Sequence, residues 1–441
     1  MARLPDEVIG SAYTTDGWPF LESLVEIGDR MAGHEGEHEA AQLLADRFES
    51  IGLENIERNE FDIHGWWRDG SSLRTENATL CSPHEIIALP GSPTGSVTGE
   101  LVDLGHGMLE TIASTAIDDK IAMARSDSPP GEAYVHRMVK YAAAVKAGAS
   151  GFVYANHVEG CLPPTGDVGY HGRSGEIPAI GISKETYGRL ARYCQNGTPE
   201  ATLEVESTVA PTTSVNVQAE LGPPTDSLLL VTAHIDAHDI STGAVDNGVG
   251  CLLLTEAARL LAQRPALLDT RVRFIGLGAE EVGLFGAYEV ADSVPNNCLK
   301  CVVNIDGAGY SRDPEIVSNQ FDTVASAVET ALERLQISVH IDDSIGPHAD
   351  DWAFVERGIP AVRLRSASET AGRGWGHTHA DTLDKIDRRD LRDLAVILAE
   401  TIVELSDDDW VFDHVEPDSI RTALDENDKL ELTVGNRWHF D

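Results

Sequence analysis

Continuous apolar runs alternate with helical patterns through the second half of the chain. The runs are SLLLVTAHID, RVRFIGLGAEE, CVVNIDGAG and GIPAVRLRS, and a segment with helical periodicity follows each of them. Buried strands that alternate with helices are typical of a mostly parallel sheet covered on both faces. The pattern therefore predicts an α/β fold, with a mostly parallel mixed sheet flanked by helices over residues 211–406.

The first half of the chain changes character twice. EHEAAQLLADRFESIG places Ala40, Leu44 and Phe48 on one helical face, and a strand-like ENIERNEFDI follows it. From there to residue 210, Gly and Pro separate short apolar runs around one clear helix, YVHRMVKYAAAVKAGA. This texture predicts a small, strand-rich domain with its own core.

These patterns divide the chain into four segments. Residues 1–62 belong with the larger domain, 63–210 form the strand-rich domain, 211–406 form the main α/β domain, and 407–441 are an acidic extension. The extension contains one strand-like stretch, KLELTV, and its sequence indicates no role.

Composition excludes some classes of function. The chain of 441 residues has 73 acidic and 33 basic residues, a formal net charge of −40 that would repel a nucleic-acid backbone. Few lysines and an ordinary hydrophobic content of 42% favour an acidic, halophilic protein whose charge reflects its solvent. We expect no membrane segment, free thiols at the six scattered cysteines and, because MARLPDEVIGSAYTT has no export pattern, a cytoplasmic protein.

Residues that can hold a metal ion follow each apolar run. Because ligands gather beyond the carboxyl ends of the strands in an open α/β sheet, these positions predict one site. The residues are His234 and Asp236 after the first run, Asp246 in the loop before the next helix, Glu280 and Glu281 after the second run, Asp306 after the third and His377 after the fourth.

The residue types in this set are suited to metal-assisted hydrolysis. In His-x-Asp, the carboxylate of Asp236 can fix the orientation of the neighbouring imidazole. Asp246 has two oxygens and can bridge two cations, while adjacent Glu280 and Glu281 point different ways, so that one ligates and the other stays free as a base. Two imidazoles with three carboxylates suit two zinc ions, and cobalt or manganese would also fit.

The motifs AHIDAHDISTGAVDNGVG, GAEEVGLFGA, VVNIDGAG and GHTHADTLDKI resemble, in order and spacing, those of the co-catalytic zinc aminopeptidases of metallopeptidase family twenty-eight. The resemblance implies a zinc aminopeptidase-like fold and a two-zinc exopeptidase. It makes His234 and Asp306 ligands of one zinc, Glu281 and His377 ligands of the other, Asp246 the bridge, Asp236 a support for the histidine, and Glu280 the general base. His238, His348 and His379 receive no role.

The strand-rich segment is similar to the protease-associated domain that is inserted in this family, where it shapes or covers the substrate cleft. One position departs from the family. Relatives often have a tyrosine before the last histidine, where its hydroxyl can stabilise the oxyanion; this chain has Gly376 there, preceded by Trp375.

The leading hypothesis is a metal-dependent aminopeptidase that acts on peptides. A glutamate-carboxypeptidase-like or glutaminyl-cyclase-like enzyme is the alternative, and Arg363, Arg365 and Arg373 are the candidates for binding a substrate carboxylate. A receptor-like relative that has lost its metals is the non-enzymatic alternative, which the presence of all five expected ligands disfavours. The sequence leaves the oligomeric state open.

Overall fold

The computed structural model describes residues 2–14, 17–197, 199–367 and 374–440. Its strands are β1 Glu54–Thr75, β2 Ala78–Leu80, β3 Ile86–Ala88, β4 Gly95–Asp103, β5 Ile121–Arg125, β6 Gly151–Ala155, β7 Ala179–Ile182, β8 Glu200–Leu221, β9 Leu228–His234, β10 Arg271–Leu277, β11 Leu299–Ile305, β12 Pro314–Val317, β13 His340–Asp342 and β14 Ala361–Ser366. Its α-helices are α1 Asp6–Ser11, α2 Trp18–Ile27, α3 Glu35–Ile51, α4 Leu109–Ser114, α5 Arg137–Lys146, α6 Lys184–Asn196, α7 Gly250–Ala262, α8 Phe285–Ser293, α9 Asp322–Arg334, α10 Trp352–Val355, α11 Arg388–Ser406, α12 Pro417–Ala423 and α13 Glu426–Val434.

The larger domain confirms the predicted α/β fold. Strand β9 lies between β10 and β11 and is parallel to both, and β14 continues the parallel set beyond β11. Every residue of β9 is buried, because helices cover both faces of a parallel sheet. Antiparallel β12 and β8 pair with β14 and β10, so the sheet is mixed at its margins, as expected.

The predicted helices form where the apolar periodicity places them. Helix α3 buries Ala40, Leu44 and Phe48 and ends at Gly52, whose φ of +87° is a left-handed conformation that glycine adopts without a steric penalty. The long closing helix α11 begins after Asp387, whose side chain accepts a hydrogen bond from the Arg389 N–H.

The smaller domain has its own core around a second parallel set. Strands β4, β5, β6 and β7 are mutually parallel, and β3 pairs antiparallel with β7. Strands β1 and β8, each of 22 residues, pair antiparallel from one domain into the other. The predicted boundaries at 62/63 and 210/211 lie inside these two strands, since the paired strands run through both domains.

The C-terminal extension differs from the prediction. KLELTV, expected as a strand, is the end of helix α13. Asp425 caps this helix by accepting the Asp428 N–H, and the helix buries Leu432. Local capping and burial therefore override the β-type alternation of the sequence. Helix α13 packs against α5 of the smaller domain. Across the described residues, none of the helices is long and apolar enough to span a bilayer.

Candidate metal centre

Three neighbouring parallel strands deliver the predicted residues to one edge of the sheet. Strand β9 ends at His234, Glu280 follows the end of β10 by three residues, and Asp306 comes directly after β11. The carboxyl ends of parallel strands meet at the same edge, so side chains that are 72 positions apart, such as those of His234 and Asp306, converge.

Two buried carboxylates fix the loops that carry the acidic residues. The Glu280 and Glu281 N–H groups each donate to the carboxylate of Asp236 over 3.1 Å. The carboxylate of Asp381 accepts from the N–H groups of Val245, at 2.8 Å, and Asp246, at 3.0 Å. Each pair of hydrogen bonds fixes the backbone from which candidate ligands project.

The position of Asp236 refines its predicted support of the histidine. Nδ1 of His234 lies 3.1 Å from the Asp236 backbone oxygen and 3.4 Å from its carboxylate Oδ1. The carboxylate itself mainly accepts backbone N–H groups of the glutamate loop. Asp236 therefore orients the imidazole and the two glutamates together.

The side chains form two groups that meet at Asp246. His234 Nε2 lies 3.2 Å from Oδ1 of Asp246, and His377 Nε2 lies 3.1 Å from Oδ2 of the same carboxylate. Glu281 Oε2 is 3.2 Å from His377 Nε2. On the other side, His234, Glu280 and Asp306 bring one ligand atom each to within 4.8 Å of one another.

The donor set fits cations. In the described part of the chain, both oxygens of fully buried Asp350 have no hydrogen-bond partner. A buried carboxylate without a partner is costly, and a neighbouring divalent cation would offset that cost. Imidazole nitrogens together with carboxylate oxygens are ligands that zinc prefers.

The two adjacent glutamates have opposite electrostatic environments. Burial, together with the charges of Glu281 and Asp306, raises the pKa of Glu280 well above its usual range. Burial would do the same to Glu281, but His238 and His377 hold the pKa of Glu281 well below its usual range. Carboxylates whose environments separate their pKa values in this way are typical of acid/base and ligand roles at one site.

His238 belongs to the site, although the sequence analysis assigned it no role. It is 2% exposed, with Nε2 3.0 Å from Oε2 of Glu281 and its ring centroid 4.4 Å from that of His377. Burial and the neighbouring His377 lower the pKa of His238. Alternate residues of an extended segment face the same way. The spacing His-x-Asp-x-His from His234 was the signal that could have found this residue.

Buried Arg30 anchors the loop between β9 and α7. Its guanidinium donates to the backbone oxygens of Ile235, Leu24, Thr242 and Gly243 over 2.8–3.2 Å. The guanidinium of Arg30 thus fixes the loop that carries Asp236, His238 and Asp246.

A cleft opens on the two glutamates. Glu280, Glu281 and His377 line one side. The smaller domain contributes residues that include His136 and His171, and the C-terminal extension contributes Glu431 and Arg437 to the other walls. The extension therefore helps to form the cleft.

The arginines proposed for a substrate carboxylate are paired within the fold. Arg365 donates to Glu315 and Asp342 at 2.8 Å, and Arg363 is buried with Nε 3.9 Å from Asp351. Arg373 lies outside the described residues.

At the position where relatives have tyrosine, Gly376 leaves no side chain, and the adjacent Trp375 packs on Tyr310 with ring centroids 5.1 Å apart.

Family models match both halves of the chain. Residues 216–402 match the model described as Peptidase family M28, and residues 97–190 match the PA domain. One match lies in each of the two domains. The larger domain is a peptidase family M28 domain. The metal-ligand candidates all lie inside the first match.

Relatives of the family align with most of the chain. Aminopeptidase YwaD of Bacillus subtilis is 27% identical over 86% of this chain and 81% of its own length. Carboxypeptidase Q of Mus musculus is 24% identical over 90% of this chain and 87% of its own. Among solved structures, a zinc aminopeptidase from Bacillus subtilis superposes with a TM-score of 0.71 at 25% identity, covering 91% of this chain and 97% of that one.

Proposed function

We propose that this chain is a metal-dependent aminopeptidase that holds two zinc ions and hydrolyses the amino-terminal peptide bond of peptides. Support for zinc and for aminopeptidase activity comes from the M28 relatives. Support for two ions comes from the side chains themselves.

The observation that carries the proposal is the position of Asp246. Its two oxygens face different imidazoles, those of His234 and His377, at 3.2 and 3.1 Å. A carboxylate that bound a single ion would be expected to approach the ligands of that ion alone, whereas Asp246 approaches two separate groups of ligands. His234 and Asp306 would hold one ion, Glu281 and His377 would hold the other, and Asp246 would join them.

When bound, two such ions lower the pKa of a water molecule and polarise the scissile carbonyl. The Glu280 carboxylate removes a proton from the attacking water and returns it to the leaving amine. The carboxylate of Asp236 accepts a hydrogen bond from the Glu280 backbone N–H and so holds Glu280 in place for both transfers. Gly376 provides no hydroxyl, so oxyanion stabilisation would come from the cations.

The cleft favours a cationic amino terminus over a carboxylate. Four carboxylates line it, those of Asp167, Glu280, Glu281 and Glu431, against two arginines, Arg137 and Arg437, of which Arg437 pairs with Glu431 at 3.2 Å. Arg363 and Arg365 contact carboxylates of the fold. This charge distribution favours the aminopeptidase hypothesis over the carboxypeptidase alternative. The alternative has its own support, since carboxypeptidase Q is among the relatives.

The test compares three glutamine variants in molar salt. We expect E280Q to lose at least about 1,000-fold in kcat on aminoacyl substrates while keeping two zinc equivalents, since it removes the base and leaves the ligands intact. E281Q should lose one equivalent of zinc. E289Q, on the exposed face of α8, is the matched control and should behave as wild type.

Loss of zinc in E280Q with retention in E281Q would show that the two roles are exchanged. A wild-type protein that binds fewer than two zinc ions, or that cleaves only carboxyl-terminal test substrates, would refute the proposal.

A further inference from the structure

A third imidazole lies where the second ion would bind. His238 follows β9 at the fourth position after His234, and its side chain turns into the site toward Glu281 and His377. The Ala237 N–H donates to Arg30 O at 3.0 Å, and the Ser241 N–H donates to His238 O at 3.1 Å, so the backbone on both sides of this histidine is held.

The fold leaves the ring nitrogens of His238 poorly satisfied. Its side chain is 2% exposed. Among the described residues, Nδ1 has no hydrogen-bond partner, and Nε2 lies 3.0 Å from the Glu281 carboxylate without the alignment of a hydrogen bond. Leaving a buried polar atom without a partner costs about 1–3 kcal/mol. An imidazole buried in this position therefore lowers the stability of the fold unless a bound ligand interacts with its ring nitrogens.

The distances point to a metal ion. Oε2 of Glu281 lies 3.0 Å from Nε2 of His238 and 3.2 Å from Nε2 of His377, and His377 Nε2 lies 3.1 Å from Oδ2 of Asp246. Ligand atoms about 2.0–2.1 Å from a tetrahedral zinc are separated from each other by about 3.3 Å. Atoms at this spacing, without hydrogen-bond alignment, are directed at a common point.

We propose that His238 is a further ligand of the metal ion held by Glu281 and His377. The inference rests on the proposed two-zinc function and extends it. With Asp246, this ion has four protein ligands, whereas the ion at His234 and Asp306 has three and keeps an open position. The two ions would therefore differ in coordination: the ion at His234 and Asp306 would keep an open position, and the other would be held by four protein ligands and retained more firmly.

The experiment measures zinc affinity and zinc coordination separately. Metal-free wild type, H238N and H379A are titrated with zinc in competition with a fluorescent chelator. H379A is the matched control, because His379 is two residues beyond His377 and its Nε2 faces His84 at 3.1 Å. We expect H238N to bind one zinc equivalent with unchanged affinity and the other at least about 100-fold more weakly. H379A should keep both affinities.

Zinc X-ray absorption of the wild-type protein provides a second readout that requires no variant. Three imidazoles shared by two ions give an average of one and a half per zinc, and two imidazoles give one. The higher value supports the inference and remains decisive if H238N fails to fold.

An average of one imidazole per zinc, or two unchanged affinities in H238N, would overturn the assignment of His238 while leaving the two-zinc function intact. A wild-type protein that binds no zinc would overturn both.

Discussion

Replacing Asp381 by asparagine tests how firmly the loop of the bridging residue must be held. The carboxylate of Asp381 is 1% exposed and accepts the backbone N–H groups of Val245 and Asp246. Asparagine has the same shape, but its amide provides a single accepting oxygen. In D381N one of the two N–H groups loses its acceptor and faces an NH₂ group.

Two opposing effects set the magnitude in the metal-free protein. Burial and the charge of Asp246 raise the pKa of Asp381 from 3.8 to about 6, so ionised Asp381 costs about 3 kcal/mol at neutral pH. Asparagine removes that cost and also removes a hydrogen bond to a charged acceptor, which is worth about 1.5–3 kcal/mol. We expect the free energy of unfolding of metal-free D381N to change by less than about 1.5 kcal/mol.

Bound zinc removes the first of these effects, because cations next to Asp246 stabilise the ionised carboxylate. In the zinc-bound protein only the loss of the hydrogen bond remains, and we expect it to reduce zinc affinity about 10- to 100-fold. Urea unfolding of the metal-free proteins and zinc titration against a chelator measure the two quantities. D384N is the control, since the carboxylate of Asp384 is 70% exposed. Zinc affinity within twofold of wild type, or a loss of more than about 4 kcal/mol without metal, would refute this reasoning.

Three further predictions concern stability. Because the net charge is −40, lowering salt from molar to about 0.1 M should reduce the urea midpoint; equal midpoints would refute the halophilic interpretation. R30M should lower the unfolding free energy by at least about 3 kcal/mol, because Arg30 donates to four backbone oxygens. The exposed control R58M should lower it by less than about 0.5 kcal/mol. Similar losses in the two variants would contradict the anchoring role of Arg30. His171 stacks on Phe285 with centroids 4.3 Å apart, and burial, aided by nearby positive charge, lowers its pKa from 6.5 to about 4. Below pH 6.5 the unfolded chain therefore binds a proton that the folded chain does not, and stability should fall by about 1–2 kcal/mol from pH 7.5 to 5 in wild type relative to H171F. Parallel pH profiles of the two proteins would count against this origin of the pH dependence.

Most of the larger domain could be predicted because its strands are buried on both faces. Runs such as SLLLVTAHID read as continuous apolar segments, and their ends locate candidate ligands directly. The extension could not be predicted in the same way. KLELTV alternates like a strand, and only the cap at Asp425 and the burial of Leu432 make it helical.

The environment of individual side chains was equally beyond the sequence. The spacing from His234 points to His238, but whether its side chain reaches Glu281 depends on how the loop after β9 turns over Arg30. Asp381 gives no sign in the sequence that both of its oxygens are used by the backbone of a loop 135 residues earlier. Local patterns predict elements, whereas contacts between distant loops depend on packing.

The pairing of β1 with β8 has a mechanical consequence. The chain crosses between the two domains twice, and both crossings lie in this ribbon of two strands. The strands stay in register from the pair Glu57 and Gln218 to the pair Arg68 and Ser207, and again from the pair Gly70 and Glu206 to the pair Thr75 and Ala201. A module on loose tethers swings freely, but one continuous with a ribbon moves only as the ribbon bends. Widening of the cleft should therefore require both bending of this ribbon and movement at the contact between α13 and α5. Access should then respond to residues along the ribbon that never touch the peptide.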